Sequence, residues 1–412
     1  MYGLAPTGIL HDITSNFIFG FDTTHNIQTH NFAQHDLLPQ AKDGTAKEKL
    51  TQLFGKGGDE MKFDAVVGNP PYQEAMNLNK MSRSIYPQFV DSATSIGENV
   101  SLIMPARWMS GEDGPYKETS GLVGRMKNFG IKRFVLYPNS QDLFQGVDIK
   151  GGVCYFVLNN DYKGNVHYSL VEHGEEHETR TTFINKLDDN IIIRYPELTS
   201  IVEKIDYRTV GAEFKESLAS MKTLVSSWNP YGFISDLFVK NNEKVERISE
   251  DRQNDNDWEI IGLLKGKRVR RFIPHDALKK NHEGAMSDKV LLPRANGSGV
   301  FGEVFSTPML GAPMLIATDT FLQVGQFDNE TEAGNLLKYV KTKFYRAMVG
   351  VKKTAVFNYK DAFTFVPQQD WSTTSDIDWS VSIPEIDQQL YRKYHLSPEE
   401  IAFIESRVKA ME

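Results

Sequence analysis

The residues with the most chemical content are Asn69-Pro70-Pro71-Tyr72, directly after the run Phe63-Asp64-Ala65-Val66-Val67-Gly68. An amide, two prolines and an aromatic ring in that order can grip an aromatic amine. Asn69 brings a side-chain carbonyl, and Pro70 a backbone carbonyl that a rigid loop leaves open to a ligand. Two such acceptors can take both hydrogens of an NH2 group, drawing its nitrogen towards tetrahedral geometry and aiming the lone pair at an electrophile. Acceptors that are set beforehand need no reorganisation as charge develops. Pro70 and Pro71 fix their own φ and push each preceding residue into an extended conformation. Tyr72 offers a flat face for a base that has left its stack. Gly68 removes a Cβ where a ligand must approach the backbone. The plainer alternative is a strand that ends in a proline turn with a tyrosine lid.

Residues 63–67 predict a buried strand, because Phe63 and Ala65 to Val67 are apolar and mostly good strand formers. Upstream, the pattern predicts a strand over 2–5 and a helix over 8–19 with Ile9, Leu10, Ile13, Phe17 and Ile18 near one face. A short strand over 31–33 follows, then Asp36, then a polar, lysine-rich connecting loop over 44–60. Downstream come a helix over 87–96 and strands over 100–104, 132–137 and 153–158. Strands alternating with helices predict an α/β sheet with ligands at the strands' carboxyl ends. Asp36, Asn69 and the loop after Met104 all fall at that edge.

On these residues the chain resembles the amino-methyltransferases that use S-adenosylmethionine (SAM), whose fourth motif reads Asn/Asp/Ser-Pro-Pro-aromatic. Asn69-Pro70-Pro71-Tyr72 points to N6-adenine methylation, although protein-glutamine and some guanine methyltransferases share the pattern. The wider text runs through Met104-Pro105-Ala106-Arg107-Trp108 and Asp148-Ile149-Lys150-Gly151-Gly152-Val153. It resembles the adenine-specific methylases of bacterial restriction-modification systems, as does the tail over 363–368, 390–394 and 397–406. The resemblance implies an α/β fold, with a Rossmann-like SAM-dependent methyltransferase sheet that is incomplete at its N-terminus. A C-terminal mixed α+β target-recognition domain would follow. It also implies that Asn69, Pro70, Pro71 and Tyr72 are catalytic and that Asp36 and Gly68 contact the cofactor. For Asp36 the competing expectation is a loop-capping aspartate. The implied partners are double-stranded DNA, held between the domains, and an N-terminal methylase fragment or a restriction endonuclease subunit.

One expected part is missing. Enzymes of this type carry a first strand and a glycine-rich cofactor loop before the catalytic motif, and neither Gly3 nor Gly8 makes one. The missing strand would lie between those at 2–5 and 63–67. Gly297-Ser298-Gly299-Val300-Phe301-Gly302 is a literal GxGxxG, yet no acid precedes it and no clear helix follows. A glycine-rich hairpin is the expected reading there. The alternatives to an active DNA methyltransferase are therefore a truncated or split DNA-binding remnant of one and, less favoured, a protein-glutamine or RNA methyltransferase.

The chain divides on paper into a catalytic domain (1–165), a connecting segment (166–226), a recognition domain (227–385) and a docking helix (386–412). The connection is read from the charged stretch 172–180 and a helix over 196–205, and residues 241–257 read as a mobile loop. With 40% hydrophobic residues, no run of 18 apolar residues and no signal-peptide pattern, the 412-residue chain reads as a soluble cytoplasmic protein. The lone cysteine, Cys154, follows Val153 rather than proline, which excludes the nucleophile of C5-cytosine methylation. It reads as a buried packing residue.

A net charge of −8 excludes a uniformly basic DNA coat, so phosphate contacts must come from local clusters. Lys265, Lys267, Arg268, Arg270 and Arg271 are five basic residues in seven, with Arg294 downstream. They are predicted to meet DNA, as are Lys352 and Lys353 on a basic helix. No metal is expected: His25, His30 and His35 recur at a spacing that fits no usual zinc pattern. Trp108 is a candidate for the base or cofactor pocket, with domain-seam packing as the alternative.

Overall fold

The structure, a computed structural model, describes residues 2–19, 32–55, 62–74, 83–110, 117–182, 191–205, 220–238, 248–296, 300–353 and 357–411. Two compact units share the chain, Met1–Ile192 and Ile193–Glu412.

The first unit opens with β1 (Gly3–Ala5), α1 (Gly8–Phe19) and β2 (Phe32–Gln34). β1 and β2 pair in parallel as a two-stranded sheet. Helix α2 (Leu38–Asp43) and helix α3 (Ala46–Phe54) follow. The second of these corrects the connecting loop expected over 44–60. Ala46, Leu50 and Phe54 recur every four residues and bury one stripe, while Lys47 and Lys49 between them are only half-buried. Of the apolar face expected of α1, Ile9, Leu10 and Ile13 are 75%, 47% and 60% exposed, and the side chains of Phe17 and Ile18 lie outside the described residues.

Next come β3 (Phe63–Gly68), β4 (Gln73–Glu74), β5 (Arg83–Ser84), α4 (Tyr86–Ile96) and β6 (Gly97–Pro105). Helix α5 (Lys117–Asn128), β7 (Ile131–Tyr137), β8 (Val153–Asn159), β9 (Val166–Glu172) and β10 (Glu175–Thr182) complete the unit. Six of these strands form one sheet in the order β10-β9-β7-β8-β6-β3. Only the β3–β6 and β7–β9 pairs are parallel; the other three are antiparallel. Met104, Leu136, Cys154 and Phe156 are buried in its middle strands. Cys154 is thus the packing residue expected.

β3 corrects a second expectation. It pairs with β6 alone and is the outermost strand, so Asp64, Ala65 and Val67 are exposed, Val67 by 78%. Its apolar run reads as a two-sided core strand, but one edge has no neighbour among the described residues. Asn99 ties it inward, its Nδ2 donating to Asp64 O at 2.8 Å. Tyr2 packs edge-on against Phe63, with ring centroids 5.5 Å apart. Leu4, Ala33, Phe63 and Val66 share the cluster around Leu50, Phe54 and Ile96. β1, β2 and β3 therefore rest on the same helices, though β1 and β3 do not pair.

Residues 166–182, expected to connect domains, instead supply strands β9 and β10 to this sheet. Charges are what an outer strand carries to block pairing. His173 and Gly174, both at positive φ, make the two-residue turn between them. The rest of the expected connection, α6 (Pro196–Ile205), belongs to the second unit.

That unit contains β11 (Trp258–Leu264), β12 (Lys267–Ile273), α7 (His282–Met286), β13 (Asp288–Pro293), β14 (Met309–Gly311), β15 (Leu315–Ala317) and β16 (Phe321–Phe327). They form two three-stranded sheets, β12-β11-β15 and β14-β13-β16. Helices α8 (Glu330–Lys341), α9 (Lys343–Gly350), α10 (Ile383–Lys393) and α11 (Pro398–Arg407) follow. The Ser397–Glu400 capping box at the start of α11 is present as expected. Within the stretch 241–257 expected to be mobile, the described part is a bonded turn. The Asp257 carboxylate accepts from Gln253 N and Asn254 N at 3.0 and 2.9 Å. No helix among the described residues is long and apolar enough to cross a membrane.

Lys289 on β13 is fully buried, its ammonium donating to the carbonyls of Ala285, Ser287 and Ala312 at 3.0, 2.8 and 3.2 Å. Burial pushes its pKa down from 10.5 to about 7, against the smaller upward pull of Asp288. Between those values the unfolded chain binds the proton that the folded chain has released, so stability rises with pH across that window. Between pH 7 and 9 the wild type should gain about 2 kcal/mol relative to Lys289→Met. Urea unfolding of both proteins at the two pH values checks this, and parallel changes would contradict it.

Candidate active site and nucleic-acid interface

The carboxyl ends of β2, β3 and β6 lead to Asp36, Asn69 and Ala106 in turn. Asn69 is exposed, Pro70 is buried, Pro71 is exposed and Tyr72 is half-buried. The turn is held from both sides. Ile85 N donates to Tyr72 O at 3.1 Å, and the β4–β5 pair sets Gln73 against Ser84 and Glu74 against Arg83. Lys42 of α2 bonds Glu74 at 2.6 Å, and Arg107 donates to Ser84 Oγ at 3.2 Å. Sequence reasoning missed these four positioning residues, since both pairs are distant in the chain.

The Tyr72 hydroxyl reaches towards the middle of the sheet. Burial, reinforced by the nearby Cys154 thiol, pushes its pKa up to about 12, while the Asn69 side chain tempers the rise. The hydroxyl makes no well-directed hydrogen bond among the described residues. The phenol stays protonated at neutral pH, and the ring is what the site presents.

Gly68 is not demanded by the fold: a Cβ there would meet only Leu102 Cδ2, at 3.4 Å. Apart from its chain neighbours, no other atom of the described residues comes within 4 Å of that position. Gly152 differs, with φ of +79° and a Cβ position 2.3 Å from Tyr137 O. Its carbonyl accepts from Ala106 N at 2.9 Å and so pins the loop after β6 to the start of β8. Asp36 Oδ1 accepts from Leu38 N at 3.0 Å, which is the capping role; its second oxygen has no partner among the described residues. Trp108 is fully buried, edge-on to Phe134 with ring centroids 6.1 Å apart. It packs in the core of the first unit.

In the second unit the basic heptad forms a hairpin. Lys265 and Gly266, at φ of +49° and +77°, make the turn between β11 and β12. Lys267 is exposed at the start of β12. Arg268 lies 5.3 Å from the Phe321 ring and donates to Ser306 O at 3.2 Å. Arg270 pairs with Glu259 and Arg271 with Glu250, each at 2.7 Å. Part of the positive charge read from the sequence is thus met by acids of neighbouring segments. Arg294, distant in sequence, lies 5.3 Å from the Trp228 ring and 4.9 Å from the Phe357 ring, with Asp319 at 3.8 Å.

The basic helix is two helices, α8 and α9, broken at Thr342. Arg346 is buried there, and burial lowers its pKa to about 10. Lys353 donates to Asn296 O at 3.3 Å and burial lowers its pKa, while Lys352 is half-buried. Gly302, the last of the GxGxxG glycines, packs against Arg407 O of α11, and no helix follows it. It lies in the connection between β13 and β14. Gly297 and Gly299 lie outside the described residues, as do His25 and His30.

Comparison with known proteins adds to this geometry. Residues 1–144 match the family described as Eco57I restriction-modification methylase. An uncharacterized adenine-specific methylase of Mycoplasma pneumoniae is 31% identical over 158 residues, covering 35% of this chain and 37% of that protein. The aligned part is thus little more than a third of that relative's length. Among solved structures, the type IIL restriction-modification enzyme MmeI in complex with DNA matches 99% of this chain and 72% of its own. That match has 9% identity and a TM-score of 0.49. The type IIG restriction endonuclease BpuSI matches 98% and 62%, at 13% identity and a TM-score of 0.33. In its first third, this chain resembles the adenine-specific methylases of restriction-modification systems.

Proposed function

We propose that the chain is a DNA methyltransferase that moves a methyl group from SAM to N6 of adenine in duplex DNA. The observation that carries this reading is Asn69-Pro70-Pro71-Tyr72 at the open carboxyl end of β3, with Asn69 exposed and the Tyr72 ring beside it. The family match over residues 1–144 supports it.

Adenine leaves the duplex at a cost of roughly a few kcal/mol and stacks on the Tyr72 ring. Asn69 Oδ1 and Pro70 O accept its two N–H hydrogens and direct the N6 lone pair outward. The proline pair keeps both acceptors in place without a conformational step. SAM, when bound, supplies the activated methyl group. Gly68 and Asp36, the latter through its second oxygen, are the residues that would contact it. N6 sheds one proton to water after transfer, so no side-chain base is needed. In the second unit, Lys265, Lys267, Arg268, Arg270, Arg271, Arg294, Lys352 and Lys353 are the proposed DNA contacts.

The edge of β3 that has no neighbour among the described residues favours a second reading, in which a separate polypeptide such as an N-terminal methylase fragment supplies a strand there and completes the cofactor side. Calorimetric titration of the 412-residue chain with SAM, with and without duplex DNA, separates the two. Micromolar binding is expected if the chain forms the pocket itself. A folded sample that retards DNA in a gel yet binds no SAM would overturn the first reading in favour of the second.

A further inference from the structure

Of the five tryptophans, Trp108, Trp258, Trp371 and Trp379 are buried, while Trp228 is 58% exposed. Tryptophan is highly buried on average, and its amphipathic ring is favoured where a surface meets a partner. Its surroundings indicate what. Arg294 sits against both the Trp228 ring and the Phe357 ring, itself 42% exposed. Two aromatic faces are thereby locked around one guanidinium, which cannot swing away without losing both cation–π contacts. Asp319 at 3.8 Å and the Ala295–Phe357 bridge further restrain the group.

The loop that carries Trp228 also walls a cavity of about 760 Å³, lined among others by Ser227, Pro230, Lys280, Asn281, Gln326 and Lys360. Its lining holds two cationic side chains and no carboxylate. Lys280 donates to Asn229 O at 2.6 Å, which fixes the chain next to the indole. A rigid aromatic face beside amides and ammonium groups matches a base, its hydrogen-bonding edge and the flanking phosphates. An apolar peptide would leave the amides and cations unpaired.

We infer that Trp228, Arg294 and Phe357 form a stacking platform for an unpaired nucleobase, with Lys280 and Lys360 meeting the adjoining phosphates. This rests on the reading of the chain as a DNA-binding enzyme and adds a contact point to its second unit. Single-stranded DNA, with its base faces free, is the simplest probe. The exposed indole is also the reporter, because iodide reaches an exposed tryptophan and spares the four buried ones.

The test is iodide quenching of the full chain's tryptophan fluorescence as a single-stranded oligonucleotide is added, alongside gel shifts with that strand and with duplex DNA. The expected result is protection of Trp228 from iodide. Trp228→Ala should weaken single-strand binding about tenfold or more, and Trp228→Phe should largely restore it. A strand that retards the protein while leaving Trp228 open to iodide would overturn the platform, as would unaltered binding by Trp228→Ala. Absence of any shift, with duplex as well as with single strand, would overturn the DNA-binding reading and the platform together.

Discussion

Asn69→Ala should abolish methyl transfer, with a loss of about 10²–10³-fold or more, and leave duplex binding within a few-fold of wild type. Asn69 is exposed at the end of an outer strand, so its truncation creates no cavity and little instability. What disappears is one of two fixed acceptors on the amine. Pro70 O alone cannot hold both hydrogens, so the nitrogen stays conjugated with its ring and its lone pair stays delocalised. The loss should fall on kcat rather than on KM, since the acceptor matters most as the nitrogen becomes tetrahedral. Single-turnover transfer and a duplex gel shift measure the two halves of this result. Retained turnover would remove the assignment of Asn69.

The second large effect concerns Tyr72, and it separates the ring from its hydroxyl. Tyr72→Ala should lower kcat/KM about 10–100-fold, the loss of one base–aromatic stacking contact. Tyr72→Phe should stay near wild type. The hydroxyl makes no well-directed hydrogen bond among the described residues, and burial pushes its pKa up to about 12. A buried phenol of that kind keeps its proton and does not act as a proton shuttle near neutral pH. A strong loss in Tyr72→Phe, or a pH profile that shifts with it, would show that the hydroxyl takes part.

A candidate chemistry is easier to propose from this sequence than its packing is. Asn69-Pro70-Pro71-Tyr72 can be read because amide, imide and ring chemistry belong to the residues themselves, whatever surrounds them. The position of β3 could not be read, because the same apolar run suits a two-sided core strand and an outer one. Only the pairing partners decide, and those are set by distant segments. The α3 helix was hidden for a different reason. Its stripe of Ala46, Leu50 and Phe54 is thin, and lysines and glycines around it carry the signal of a loop.

The charged stretch of β10 misled in the same way, since an outer strand and a solvated linker draw on similar residues. The His173-Gly174 turn was the available hint. In the second unit, the five basic residues of the heptad are plain in the sequence, but Glu259 and Glu250 as the partners of Arg270 and Arg271 are not. Those pairs arise from cross-strand neighbours. Likewise nothing local to Trp228 announces Arg294, although a tryptophan within Ser226-Ser227-Trp228-Asn229-Pro230 lacks the periodic apolar setting of a core residue.

The most direct measurement gives the chain duplex DNA and SAM labelled in its methyl group, then digests the DNA and separates the nucleosides. Label that runs with N6-methyl-2′-deoxyadenosine, absent in Asn69→Ala, is the expected result. Label in a cytosine product would contradict adenine N6 as the acceptor.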